Sequence, residues 1–143
     1  MGVIASSLER GAHLIGGYLD STVAELGLTQ AEAHVLAQIA IHGTIPISLL
    51  HHEFGHKRST LTNILDRLEK RGLLRRQMNR TDRRSILVQL TPSGNRMASQ
   101  VKDALDRLEQ LISDQVQQRD LTGLVAVVQA LEAIVHAMRR QEV

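Results

Sequence analysis

KRSTLTNILDRLEKRGLLRRQMNRTDRRSILVQLTPSG, residues 57–94, changes its periodicity twice, and the fold follows from those changes. Leu61, Ile64, Leu65 and Leu68 recur every three or four residues, the spacing of one apolar helix face, while Arg58, Ser59, Thr62, Asn63 and Arg67 face outward. Gly72 ends that helix. Leu73 to Met78 reads as a strand, Ser85 to Leu90 (SILVQL) is rich in β-branched residues, and the stretch 79–84 between them is polar and basic. This pattern predicts a hairpin with a charged tip. Thr91 and Pro92 then supply a cap and a first-turn residue for a further helix.

Upstream, Pro46 opens a short helix containing Leu49, Leu50 and Phe54, which Gly55 stops. Two helices joined by a tight turn, followed at once by a β-ribbon, make a winged helix-turn-helix. Before it, Thr29 to Glu32 has the capping-box spacing, in which hydroxyl and carboxylate each satisfy a free amide of a helix running through Val35, Leu36 and Ile39 to His42. Gly43 ends that helix. Leu8, Ala12, Ile15, Leu19 and Val23 predict a first helix over about residues 6–25. Downstream, Met97, Val101, Ala104, Leu108 and Leu111 mark one more helix stripe. A last helix, capped by Asp120, carries Leu121, Leu124, Val128, Leu131, Val135 and Met138 at alternating steps of three and four, the seam of a coiled coil.

The expected fold class is therefore mainly α with a small β-hairpin wing. A single domain spans residues 1–143, with the winged helix-turn-helix at 29–90 and dimerisation helices at 1–28 and 91–143. The terminal helices carry more apolar surface than a small winged helix covers, and such surface left in water costs about 25 cal/mol per Å². A homodimer buries it most simply.

Composition narrows the function classes. The chain has 143 residues, 43% of them apolar and 22% charged, enough for a packed core and too apolar for disorder. Tyr18 and Phe54 are the only aromatic residues, so the core is aliphatic. The absence of cysteine excludes disulfides, thiol nucleophiles and thiolate zinc sites. Glu9, Arg10 and Asp20 interrupt the amino-terminal apolar residues, and no run of about 18 apolar residues occurs, so the chain is read as cytoplasmic, without a signal peptide or membrane partner.

Charge is unevenly spread. Between His56 and Arg84 ten Lys and Arg residues face three acids, a local balance of +7 in a chain whose net charge is +2. Such a block turns one surface toward a polyanion. The outer face of the 57–71 helix suits a DNA major groove: Arg58 for bidentate contact with guanine, Asn63 for adenine, and Ser59, Thr60 and Thr62 for close approach or a thymine methyl. Lys57, Arg67, Lys70 and Arg71 suit phosphates. The cationic tip holding Arg80, Asp82, Arg83 and Arg84 suits a narrow minor groove, with Arg84 inserted and its guanidinium oriented by Asp82.

STLT, LDRLEKRGL, the DRRS wing and LTPSG, in that order, resemble the multiple-antibiotic-resistance regulator family, MarR. The resemblance implies a homodimeric winged helix that binds near-palindromic double-stranded operator DNA, usually a repressor relieved by a small ligand, an oxidant or a metal. It places Arg58, Thr60, Thr62 and Asn63 against bases and matches Asp82 and Arg84 to the family's wing pair. Two positions depart from the pattern. Lys57 stands where a Ser, Thr or Asp usually caps the helix, and His56 where an aliphatic residue is commoner, which adds titratable charge near DNA.

Other signals carry less. His52, Glu53 and His56 satisfy H-E-x-x-H, yet zinc hydrolysis needs both histidines on one continuous helix, and Gly55 interrupts it while Thr62 takes the third-ligand position. The chain is not read as an enzyme, and no cofactor is assigned. Seven histidines with nearby acids leave a metal-responsive (His/Glu zinc) regulator as an alternative, and the basic face leaves a protein-interaction adaptor as another. No residue is assigned as a metal ligand. His13, Tyr18, His34, Val35, Ile39 and His42 are the candidates for lining an effector crevice.

Overall fold

The structure, a computed structural model, describes residues 2–54 and 57–141. In chain order it comprises α1 (Val3–Ala24), α2 (Gln30–His42), β1 (Thr44–Pro46), α3 (Ile47–Phe54), α4 (Arg58–Lys70), β2 (Leu74–Met78), β3 (Ile86–Leu90), α5 (Pro92–Ser113) and α6 (Gln118–Gln141). The chain divides into two compact units, residues 1–105 and 106–143.

In the first unit, Leu61, Ile64, Leu65 and Leu68 of α4 are buried, and with Leu36 and Ile39 of α2, Leu50 of α3, Val88 of β3 and Val101 of α5 they form one aliphatic core. Burying a side chain of this kind contributes about 1.5–3 kcal/mol, so the α4 stripe alone fixes which face of that helix meets water. The helix ends in a Schellman motif. Gly72 adopts φ +72°, the Leu73 amide donates to the Leu68 carbonyl at 3.0 Å, and the Gly72 amide donates to Glu69 at 2.9 Å.

The expected hairpin is present, with the β2–β3 pairing running from Leu74–Leu90 to Met78–Ile86. A third strand corrects the two-stranded expectation: β1 pairs with β3 in antiparallel register, Ile45 opposite Val88, giving the sheet order β1-β3-β2. Pro46, expected in the first turn of α3, closes this edge strand instead, a place where the missing N–H is tolerated.

The sheet is tied to α5 by Thr91. Its hydroxyl donates to the Gly72 carbonyl at 2.6 Å and accepts the Gly94 amide at 3.0 Å, while its own amide donates to Leu73 at 3.1 Å. Thr91→Val is expected to leave Gly94 N–H and Gly72 C=O unpaired and to cost about 2 kcal/mol. An unchanged urea midpoint excludes this.

Two helix starts differ in detail from expectation. At α2 the Thr29 oxygen accepts the Glu32 amide at 3.2 Å, but the Glu32 carboxylate takes the Thr29 hydroxyl at 3.1 Å rather than a main-chain amide. At α6 Asp120 lies inside the first turn and its carboxylate accepts the Gln117 amide at 2.9 Å, so the helix begins before the expected cap. The expected turn at Gly55 and the placement of His56 lie outside the described residues.

Candidate nucleic-acid interface

At 100° per residue, the buried stripe of α4 leaves Ser59, Asn63 and Lys70 on the opposite side, with Arg58 and Thr62 on one flank and Thr60 and Arg67 on the other. Lys57, Arg58, Ser59, Thr60, Thr62, Asn63 and Arg67 are all exposed. Lys57 precedes the helix, and its ammonium, which has no acceptor, leaves the first-turn amides without a side-chain cap.

The first flank faces the wing. Arg58, Leu61 and Thr62 meet Asp82, Arg84 and Ile86 around a cleft of about 480 Å³, which brings the two cationic groups of the 57–84 block to one place. His51 of α3 also lines it, and its Nε2 is buried without a hydrogen-bond partner among the described residues, a feature that no local sequence signal marks.

Main-chain bonds shape the wing tip. Asn79 Oδ1 accepts the Thr81 amide at 3.1 Å and its hydroxyl at 2.8 Å, Asp82 Oδ1 accepts the Arg84 amide at 3.1 Å, and the Ser85 amide donates to the Asp82 carbonyl at 2.9 Å. Asp82 therefore orients residue 84 through its backbone rather than through its guanidinium, which corrects the expected side-chain pairing. Two successive Asx-type turns hold a short loop in one shape. Arg80, Arg83 and Arg84 remain exposed, with their charges available to a ligand.

The ribbon itself is braced against α4. Arg76 of β2 donates through Nε to Glu69 at 2.8 Å and through Nη2 to Asp66 at 2.5 Å. The Glu69 hydrogen bond raises the Arg76 pKa above its ordinary value, partial burial opposes that rise, and Asp66 adds to it. These carboxylates neutralise one arginine of the basic block, a pairing that the count of charges along the sequence does not locate.

On the other flank Arg67 turns toward α2, its Nε lying 3.6 Å from Glu32, and Arg71 reaches Glu32 at 3.9 Å and the Gly27 carbonyl at 2.6 Å. Both had been expected at phosphates. The partners lie more than thirty residues away, beyond any local pattern.

The candidate effector residues separate by burial. Val35 and Ile39 are sealed in the core, Tyr18 is half-buried, and His13, His34 and His42 are exposed. Among the described residues no three His, Asp or Glu side chains are grouped to hold a metal ion.

Known proteins share this fold. The sequence model of the MarR family matches residues 28–86. The uncharacterized HTH-type transcriptional regulator YfiV of Bacillus subtilis (strain 168) is 32% identical over 112 residues, 76% of this chain and 70% of that protein. PecS of Dickeya dadantii (strain 3937), an HTH-type transcriptional regulator, is 31% identical over 133 residues, 91% of this chain and 80% of that one. The crystal structure of S. aureus MepR in its DNA-binding conformation superposes with a TM-score of 0.86 at 18% identity, covering 94% of this chain and 99% of MepR. With the winged helix, its exposed basic face and two relatives that extend well past that region, this chain belongs to the MarR family and is a DNA-binding transcriptional regulator.

Proposed function

We propose that the chain acts in the cytoplasm as a homodimeric repressor, without catalysis, that grips two half-sites of a near-palindromic operator and lets go when a small molecule binds. The observation that carries this reading is the pairing of an exposed cationic face with apolar helix surface left open elsewhere. On α1, Val3, Ile4, Leu14 and Ile15 are exposed; in the second unit α6 buries no residue, and Leu124, Val128, Leu131, Val135 and Met138 of its heptad seam are open. A second copy covers such a seam by knobs-into-holes packing. By length and mean hydropathy alone α6 is also long and apolar enough to cross a membrane, but Gln129, Glu132 and His136 give it the polar side of an interface helix.

In each subunit α4 enters the major groove, with Arg58, Ser59, Thr60, Thr62 and Asn63 toward base edges and Lys57 toward phosphate, while Arg80, Arg83 and Arg84 reach the adjacent minor groove. An effector on α1 and α2 meets His13, Tyr18, His34 and His42 directly, whereas Val35 and Ile39 become accessible only if the core opens. A ligand that favours the geometry unable to span two half-sites releases the operator.

Sedimentation equilibrium and selection of bound genomic fragments test the proposal together. The expected result is a dimer whose footprint shows two half-sites about one helical turn apart, roughly 10 bp, with affinity falling 10³-fold or more between 50 and 200 mM salt. A monomer, membrane partitioning, or salt-independent affinity overturns it.

A further inference from the structure

We propose that Glu32 is a positioning residue of the DNA interface, a fixed carboxylate that stands in for a phosphate on one flank of α4 and withholds Arg67 from the duplex. The proposal rests on the reading of α4 as the helix that enters the major groove. Glu32 is buried, and its carboxylate faces two guanidiniums, Arg67 of α4 at 3.6 Å and Arg71, which caps that helix, at 3.9 Å, while it accepts the Thr29 hydroxyl at 3.1 Å. A carboxylate removed from water depends on such partners.

The two arginines are held differently. Arg71 donates to the carbonyls of Gly27 at 2.6 Å and Leu26 at 3.4 Å, so the turn after α1 retains it whether or not residue 32 is charged. Arg67 has Glu32 as its ion-pair partner, its side chain is 53% exposed, and it borders the outward face that carries Asn63. Arg67 is therefore the cation that Glu32 controls.

Holding it back has a functional consequence. Each Lys or Arg that neutralises a phosphate adds sequence-independent affinity, which competing genomic DNA exploits as readily as an operator. With Arg67 neutralised internally, binding depends more on Arg58, Asn63 and the wing, where sequence and groove shape are read.

Sonicated double-stranded DNA of mixed sequence tests this without knowledge of the operator, because such binding is almost wholly electrostatic. Glu32→Gln keeps the size and the hydrogen-bonding oxygen but removes the charge. It is compared with wild type, Arg67→Gln and the double variant, each first shown to be folded by circular dichroism. Glu32→Gln is expected to steepen the slope of log affinity against log salt by about 0.9 per engaged subunit, one extra phosphate contact. Arg67→Gln alone is expected to leave the wild-type slope unchanged, and the double variant to restore it. A Glu32→Gln slope equal to wild type overturns the proposal and leaves Glu32 as a helix cap only. A flatter slope in Arg67→Gln alone also overturns it, because Arg67 would then already reach phosphate; this comparison decides the matter if Glu32→Gln fails to fold. Absence of salt-dependent binding in wild type overturns the reading of α4 itself, a result distinct from the other two.

Discussion

Gly94→Ala is expected to destabilise the winged helix by on the order of 4 kcal/mol or more, read as a collapse of the urea midpoint or loss of soluble folded protein. Gly94 is the third residue of α5 and is buried against the turn that follows α4. A Cβ there would lie far inside the van der Waals envelope of the Leu73 carbonyl oxygen, with the carbonyl carbon at 2.9 Å and Leu90 Cβ at 3.3 Å. That carbonyl has little freedom to retreat. It accepts the Thr91 amide at 3.1 Å, and the Leu73 amide is locked to Leu68 by the Schellman motif. Relief requires moving main chain rather than swinging a side chain, and overpacking of that kind is among the few mechanisms that exceed the usual cost of a point change. Helix propensity gives the opposite sign, favouring alanine over glycine by about 1 kcal/mol. Gly123→Ala in α6, where a Cβ would meet nothing within 4 Å, isolates that propensity and is expected to stabilise. Equal behaviour of the two variants would show that the contact between α5 and the wing base is not as tight as described.

The contrast explains what was legible in the sequence. The stripe of α4 and the alternation of the ribbon were readable because burial imposes a short local period on each. The strand β1 was not. Thr44, Ile45 and Pro46 carry no alternation of their own, and only the β3 edge some forty residues on makes them a strand. The cationic and amide residue types on the outer face of α4 were equally visible, because the buried stripe alone sets which positions face outward. Their directions were not, because they depend on distant partners. Glu32 reads as half of a capping box and proves to face Arg67 and Arg71, Arg76 reads only as one cation of the basic block and is clamped by Asp66 and Glu69, and Asp82 reads as a guanidinium acceptor and holds a main-chain amide. Val35 and Ile39 illustrate a further limit. An apolar residue on a helix has the same signature whether it lines a ligand crevice or fills the core, and here both fill the core.

Arg84→Ala is expected to weaken operator binding by 10² to 10⁴-fold with no change in melting temperature. Its side chain is exposed and makes no hydrogen bond or ion pair among the described residues, so its removal leaves the fold unaffected. Its cost falls on the complex. The Asx-type turn at Asp82 fixes the main chain of residue 84, and the cleft shared with Arg58 sets the wing arginine beside α4, so little ordering remains to be done on binding. A charge-assisted hydrogen bond formed by a preorganised guanidinium is worth about 1.5–3 kcal/mol, and a dimer loses it twice. Arg80→Ala and Arg83→Ala, as phosphate contacts, are expected to cost only several-fold each and to flatten the salt slope by about 0.9 per lost contact. Arg84→Lys separates charge from shape: a flexible ammonium keeps the charge but loses the planar donor fork, so it is expected to restore mixed-sequence binding while leaving operator discrimination impaired. Asp82→Asn, which retains an acceptor for the residue 84 amide, is expected to be mild, whereas Asp82→Ala loosens the turn and costs about tenfold. Fluorescence anisotropy at one fixed salt concentration ranks all six variants. If Arg84→Ala stays within threefold of wild type while Asp82→Ala does not, the wing acts through the shape of its loop alone and the minor-groove role of Arg84 is wrong.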